Sequence, residues 1–338
     1  MAQLSIFLQR DVPPALVGAE LARFTAAHPK VAVSTASGDA AATAAALRAA
    51  DVVVTDLQLP ASRDLCPNAR WIQLVSAGAN QVAGTWIEDS AVAVTTSSGL
   101  HGVPIAQFVT GSLLSLVHHF PAFGVAQAQR RWPADRWALR AEILRGQTAG
   151  VIGYGSIGRE CARQLHALGL RILALDPADQ VDRGYTAWPG TGDPTGTLPE
   201  RWFQPTELRA FLPQCDVVVV AAPYTRHTAG MIGADELALL KPGARIVIIS
   251  RGGIVQELPL VAALREGRLA GAVVDCYVQE PPPSDHAFYE VPNLIMTPHM
   301  AGAYEGFWAA FFDLFAANVH RFSKGEPLLN QANKRLGY

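Results

Sequence analysis

The chain has 338 residues, is 50% hydrophobic by composition and carries a formal net charge of -2. That length exceeds one comfortable hydrophobic core and predicts two domains. The near-neutral balance gives no electrostatic case for a nucleic-acid partner or an anionic membrane surface.

No apolar stretch is long enough to span a bilayer. The opening MAQLSIFLQRDVPP has neither the basic segment nor the apolar length of a secretory leader. Cys66, Cys161, Cys215 and Cys276 are too dispersed for a metal motif, and buried free thiols in a cytoplasmic protein without a metal site are the expectation.

In chain order, 4–8 (LSIFL) reads as a strand and 13–28 as a helix with prolines at its start, where a missing N–H is harmless. A strand at 31–35, an alanine-rich helix at 39–50 opened by Asp39, and strands at 51–56 and 70–76 follow. Short apolar strands of this kind belong to a parallel sheet covered by helices on both faces. Residues 103–120 predict one long, mostly apolar helix with Pro104 near its start. So apolar a helix must be covered over most of its surface, and a homodimer formed through this region is expected.

From 148 the alternation restarts, with strands at 148–153, 171–176, 216–222, 244–250, 270–275 and 293–297. Helices are predicted at 157–168, 207–213, 234–240 and 257–266. Six short strands with such crossovers predict a doubly wound parallel sheet. TAWPGTGDPTGTLP (186–199) predicts a surface loop in which nothing specifies a buried element.

VIGYGSIGREC places Gly153, Gly155 and Gly158 in G-x-G-x-x-G spacing after an apolar strand and at the start of an amphipathic helix. That context makes the spacing a dinucleotide fingerprint. Gly153 permits the turn, Gly155 admits the pyrophosphate, and Gly158 lets the helix pack close. The diphosphate would lie on the helix start near Ser156 and Ile157. Asp176 ends the next strand, where its carboxylate would accept from ribose hydroxyls and repel a 2′-phosphate. The following PADQV (177–181) contains no arginine, so NAD is expected over NADP.

In the usual 3-2-1-4-5-6 order, the strands at 244–250, 270–275 and 293–297 would be the fourth, fifth and sixth, with their carboxyl ends together. Arg251, Glu280 and His299 lie just beyond those ends, and Asp275 ends the fifth strand. Hydride transfer to a carbonyl develops negative charge on oxygen and needs a proton donor with a pKa near working pH, which histidine supplies. A carboxylate such as Glu280 would orient the ring and favour imidazolium, and a forked arginine suits a planar carboxylate.

These segments resemble the D-isomer-specific 2-hydroxyacid dehydrogenase family over nearly the whole chain. AGVIGYGSIGRECARQLHALG resembles its nucleotide signature, LLKPGARIVIISRGGIV its arginine segment, LAGAVVDCYVQEPP its Asp and Glu segment, and NLIMTPHMAG its His segment. The resemblance implies reversible hydride transfer between NAD(H) and a small 2-oxo or D-2-hydroxy acid. Arg251 would bind the substrate carboxylate, His299 would be the acid/base and Glu280 its partner. Asp275 would lie at the nicotinamide carboxamide and Asp176 at the ribose, with Pro223 and Thr228 also in the cofactor-binding set.

It further implies a Rossmann-like NAD-binding domain over 101–299 and a smaller, flavodoxin-like α/β catalytic domain made of 1–100 and 300–338. LVSAGANQV (74–82) resembles the family's substrate loop, with backbone N–H groups around Ala77 and Gly78 receiving the carboxylate. Asn80, Gln107, Ile248 and Tyr304 depart from common family residues and leave the subfamily open, while Glu280 disfavours formate dehydrogenase. Met300, Tyr304, Phe307, Trp308, Phe311 and Phe312 read as core or domain-interface packing, one or two of them lining the substrate pocket. The alternatives on the same fold are an NAD-binding corepressor-like regulator and a dehydrogenase of a related non-hydroxyacid substrate.

Overall fold

The computed structural model describes residues 3–9, 12, 14–177 and 184–338. The chain divides into two compact units. One is Met1–His101 with Gly184–Pro189 and Tyr304–Tyr338; the other is Gly102–Arg183 with Gly190–Ala303.

The first unit opens with β1 (Leu4–Leu8), α1 (Pro14–Ala27), β2 (Val31–Thr35), α2 (Ala40–Ala49), β3 (Val52–Thr55), β4 (Trp71–Leu74) and β5 (Ala93–Thr95). Its five strands pair in parallel in the order β2-β1-β3-β4-β5. Every residue of β3 and β4 is buried, because helices or loops cover both faces of the sheet centre. Asp39 caps α2, accepting from the Ala41 and Ala42 N–H groups at 2.8 and 3.1 Å. Such a cap contributes about 1 kcal/mol. β5 escapes prediction because three residues are too few to show a period. A buried chain fastens it: the Trp71 indole donates to Thr95 Oγ1 at 2.7 Å, which donates to Gln73 Oε1 at 2.8 Å.

The second unit begins with α3 (Gly102–Val117) and α4 (Phe120–Ala128) in place of one helix over 103–120. His119 between them is left-handed, with φ 55°. Pro121 explains the break, since inside a continuous helix it would remove a hydrogen bond and strike the preceding turn. It stands instead in the first turn of α4, where it is tolerated.

Then come β6 (Thr148–Ile152), α5 (Ser156–Ala167), β7 (Arg171–Leu175), β8 (Pro199–Phe203), α6 (Leu208–Phe211), β9 (Val217–Val220), α7 (Ala234–Leu239), β10 (Ala244–Ile248), α8 (Glu257–Arg265), β11 (Leu269–Val274) and β12 (Leu294–Met296). The seven strands are parallel in the order β12-β11-β10-β9-β6-β7-β8. The strand predicted as third, at 216–222, is therefore fourth and lies on the other side of β6; the true third strand is β8. That strand hides in the sequence because it is an edge strand opening on Pro199 with Glu200 and Arg201 exposed. Alternate residues of β9 serve opposite faces: Val217 and Val219 pack towards α3 and α5, Val218 and Val220 towards α7 and α8.

The chain returns to the first unit with α9 (Phe307–Lys324). The Phe24 ring of α1 lies 5.6 and 5.4 Å from those of Phe312 and Phe315, so most of the aromatic run is core. Met300, by contrast, is 55% exposed. All four cysteines are buried and unpaired, and burial pushes the Cys215 and Cys276 thiols up to about 12. No single helix among the described residues is long and apolar enough to cross a membrane.

Candidate active site

The sheet order reverses between β6 and β9, and the carboxyl ends of these strands frame the crevice in which such folds bind ligands. Gly153, just after β6, has φ +88°, and a Cβ there would come within 2.5 Å of the Ala222 backbone. Glycine alone fits that position. A Cβ at Gly158 would lie 2.0 Å from the Gly153 carbonyl oxygen, so α5 approaches the turn only because the residue has no side chain. Around Gly155 the space is open, with nothing within 4 Å of a Cβ built there. Ser156 and Ile157 begin α5, whose first turn carries no acidic residue. The positive end of this helix thus suits a pyrophosphate, and these residues fit a dinucleotide.

Asp176 follows β7, and its Oδ2 accepts from the Tyr154 N–H at 2.6 Å. Residues 178–181 of the PADQV segment, which bear on cofactor choice, lie outside the described residues. Pro223 and Thr228 sit in the loop after β9, joined by a bond from Thr228 Oγ1 to the Pro223 carbonyl at 2.6 Å.

β10, β11 and β12 end in one row, with Ile248 beside Val274 and Val274 beside Met296. Arg251, Asp275, Glu280 and His299 all leave from that edge. Asp275 is 2% exposed. Its Oδ1 accepts from Thr297 Oγ1 at 2.6 Å and from the Met300 N–H at 2.9 Å, and its Oδ2 accepts from the Ala301 N–H at 2.9 Å. One carboxylate therefore closes the turn that presents His299, whose φ of +54° is left-handed and unusual for a residue with a side chain.

Nδ1 of His299 lies 2.7 Å from Glu280 Oε2. The other oxygen of Glu280 accepts from the Tyr277 N–H at 2.9 Å. The Tyr277 hydroxyl in turn lies 2.8 Å from the Thr297 carbonyl oxygen and accepts from the Thr297 N–H at 3.1 Å. Burial pushes its pKa up to about 12. Tyr277 thus connects the glutamate segment to the histidine turn.

The Arg251 guanidinium is half-buried and makes no ion pair among the described residues; Nη1 donates at 2.8 Å to the Ser250 carbonyl. Ala77 and Gly78 belong to the first unit, in the loop after β4. Ser76 Oγ shapes that loop by donating to the Gly78 carbonyl at 2.9 Å. Neither the Ala77 nor the Gly78 N–H has an acceptor among the described residues.

Sequence reasoning missed Tyr277, Thr297 and Tyr154 as supporting groups. Thr297 alone had a local signal, as a hydroxyl in the Thr-Pro-His step at a strand end.

The family model for the D-isomer specific 2-hydroxyacid dehydrogenase NAD binding domain matches residues 110–301. A putative 2-hydroxyacid dehydrogenase of Haemophilus influenzae is 28% identical over 285 residues, covering 81% of this chain and 84% of that one. Glyoxylate/hydroxypyruvate reductase A of Salmonella typhi is 30% identical over 237 residues, covering 70% of each chain. Among solved structures, a D-isomer specific 2-hydroxyacid dehydrogenase from Xanthobacter autotrophicus Py2, in complex with NADPH and MES, matches with a TM-score of 0.80 at 26% identity over 100% of both chains.

Proposed function

The chain belongs to the D-isomer-specific 2-hydroxyacid dehydrogenase family and is an NAD(P)-dependent oxidoreductase of small 2-oxo and 2-hydroxy acids, and we propose that Arg251 binds the acid's carboxylate while His299, assisted by Glu280, exchanges the proton at its oxygen. The observation that carries this reading is the 2.7 Å contact between His299 Nδ1 and Glu280 Oε2, on the same sheet edge as an arginine that makes no ion pair among the described residues. A carboxylate can only accept, so the Nδ1 position holds the shared proton and Nε2 is left to work on the substrate. The Arg251 fork matches a planar carboxylate bidentately, and its unpaired charge is relieved by an anion.

The bound dinucleotide supplies or accepts the hydride. Gly153, Gly155, Ser156, Ile157 and Gly158 hold its pyrophosphate, with Pro223 and Thr228 in the adjoining loop. Asp176 accepts from the adenosine ribose and repels a 2′-phosphate, which makes NAD(H) the preferred cofactor. Asp275 borders the nicotinamide carboxamide while it closes the His299 turn. Among the described residues the Ala77 and Gly78 N–H groups have no acceptor, which leaves them able to donate to a carboxylate. In reduction, His299 gives its proton to the nascent alkoxide and Glu280 stabilises the charged ring beforehand; oxidation runs the same path backwards.

The first unit serves as the substrate domain, and its β2-β1-β3-β4-β5 order supports the flavodoxin-like description. The second serves as the cofactor domain. A homodimer is formed through α3 and the residues that follow it. Phe120, Trp132, Trp137 and Ile143 are 59%, 80%, 74% and 76% exposed, an apolar surface of the kind a second copy covers. Four buried free thiols fit the reducing cytoplasm. The regulator alternative has no observation of its own.

The test is a panel of 2-oxo acids offered to the purified protein with NADH and with NADPH. Oxidation of NADH by one or more small 2-oxo acids is expected. Turnover only with substrates lacking a carboxylate would remove Arg251 from its role.

A further inference from the structure

Tyr154 occupies the first variable position of the fingerprint, and both its backbone and its side chain are engaged. Its N–H donates to Asp176 Oδ2 at 2.6 Å. Its ring points inward, 1% exposed, and its hydroxyl donates to Asp193 Oδ2 at 2.9 Å. Asp193 comes from the Gly- and Pro-rich segment 186–199, yet it is only 4% exposed. Its carboxylate also accepts from the Thr197 N–H, the Thr197 hydroxyl and the Leu198 N–H at 3.0, 3.4 and 3.0 Å.

The first turns of α5 grip the same segment. Arg159 Nη1 donates to the Asp193 carbonyl at 2.6 Å, with its guanidinium 5.0 Å from the Tyr154 ring centre. Glu160 Oε2 accepts from the Gly192 N–H at 2.6 Å, and Arg163 and Gln164 hold that glutamate in turn. Residues 190–198 therefore brace the start of the fingerprint helix. The segment is the loop that composition predicts, exposed at Gly190, Pro194, Thr195 and Thr197, but it turns Asp193 inward.

We infer that Asp193 is a positioning residue for cofactor binding: through the Tyr154 hydroxyl it fixes the peptide whose N–H orients the Asp176 carboxylate. The inference rests on the assignment of Asp176 to the adenosine ribose. Hydrogen bonds to an ionised acceptor in a buried site are strong and directional, so the Tyr154 ring has one favoured placement. A tyrosine fixed at its hydroxyl restricts the rotation of its own peptide, and that peptide meets the carboxylate. Burial, reinforced by the Asp193 charge, holds the Tyr154 proton well above the ordinary tyrosine range. The hydroxyl thus stays a donor at any working pH.

Tyr154→Phe removes only the hydroxyl and leaves Asp193 its other donors; Asp193→Asn removes the charge. Fluorescence titration with NADH and with NADPH should show the NADH Kd raised about 5- to 10-fold in each variant, the scale of one ordinary hydrogen bond. The double variant should be no weaker than the worse single one. The KM for NADH should rise in step with Kd while kcat falls less than twofold, a split that general destabilisation would not produce. Asp176→Ala is titrated alongside. If it weakens NADH binding while folded Tyr154→Phe stays within twofold of the parent, the positioning role of Asp193 is overturned and the ribose assignment survives. If Asp176→Ala itself leaves NADH binding unchanged, the ribose assignment fails and takes the inference with it.

Discussion

Oε2 of Glu280 lies 2.7 Å from Nδ1 of His299 while Oε1 is held by the Tyr277 N–H at 2.9 Å, so the carboxylate is fixed at both oxygens before any substrate arrives. His299→Ala should lower kcat for 2-oxo acid reduction by roughly 10²-fold or more, the scale of positioned acid catalysis. NADH binding should persist, since the fingerprint lies on other strands. Glu280→Gln keeps a hydrogen-bonding group and removes the charge opposite the ring, so kcat for reduction should fall while NADH binding persists. A folded His299→Ala enzyme with near-normal reduction at every pH would leave His299 a structural residue.

Arg251 has no carboxylate partner among the described residues, so substitution there removes an anion site without freeing a buried acid. Arg251→Ala should reduce kcat/KM for 2-oxo acids by roughly 10- to 100-fold. Arg251→Lys keeps the charge but not the planar fork, and recovery should be partial. Steady-state kinetics on both variants, with NADH titration as the folding control, decides it; full activity in the lysine enzyme would mean that charge alone suffices.

Asp275 satisfies three donors around the His299 turn. Asp275→Ala should cost about 2 kcal/mol or more, because each donor left bare in a buried site carries its own penalty. Asp275→Asn, which retains one acceptor oxygen, should be milder. Denaturant titration of the apo protein measures the stability loss. A purely cofactor-facing Asp275 predicts unchanged apo stability and only a weaker NADH Kd.

The brace at 190–198 changes what a protease should see. Gly192 and Asp193 are tied by backbone and side-chain bonds to α5, so cleavage between 190 and 198 should be slow in the folded protein. Tyr154→Phe should accelerate it. Mass spectrometry of the early fragments checks this, and rapid nicking of the parent chain between those positions would contradict the brace.

Most of the candidate site could be read from the chain because its chemistry is local: glycines at fixed spacing, then acids, an arginine and a histidine one to six residues past apolar strands. β8 was not legible, since an edge strand that opens on proline and carries exposed charges has neither an apolar run nor a clean alternation. Losing it displaced β9 to the wrong side of β6 and changed the strand count, though the carboxyl ends of β10, β11 and β12 remained neighbours. Asp193 was illegible for a different reason. Composition marks a loop by its glycines and prolines, but whether an acid within it turns inward depends on a tyrosine 39 residues earlier. The break at His119 was readable in Pro121, which an uninterrupted apolar reading passed over.

The proposed preference for NAD(H) turns on Asp176, whose carboxylate the Tyr154 N–H holds at 2.6 Å. Two like charges 4 Å apart repel by about 1 kcal/mol even in bulk water. A phosphate monoester near neutral pH carries almost two charges, so NADPH should bind roughly ten- to thirtyfold more weakly than NADH by this effect alone. The Xanthobacter relative was solved with NADPH, so the family fold accommodates the phosphate and the discrimination must come from individual residues. Asp176→Ala should remove the repulsion and the ribose contact together: NADH kcat/KM falls, NADPH kcat/KM rises or holds, and their ratio narrows by about tenfold. Measuring kcat/KM for both cofactors in parent and variant, at low and high salt, separates the two effects, because only the charge repulsion is screened. A parent enzyme that prefers NADPH, or a ratio that Asp176→Ala does not move, would place the specificity elsewhere than at Asp176.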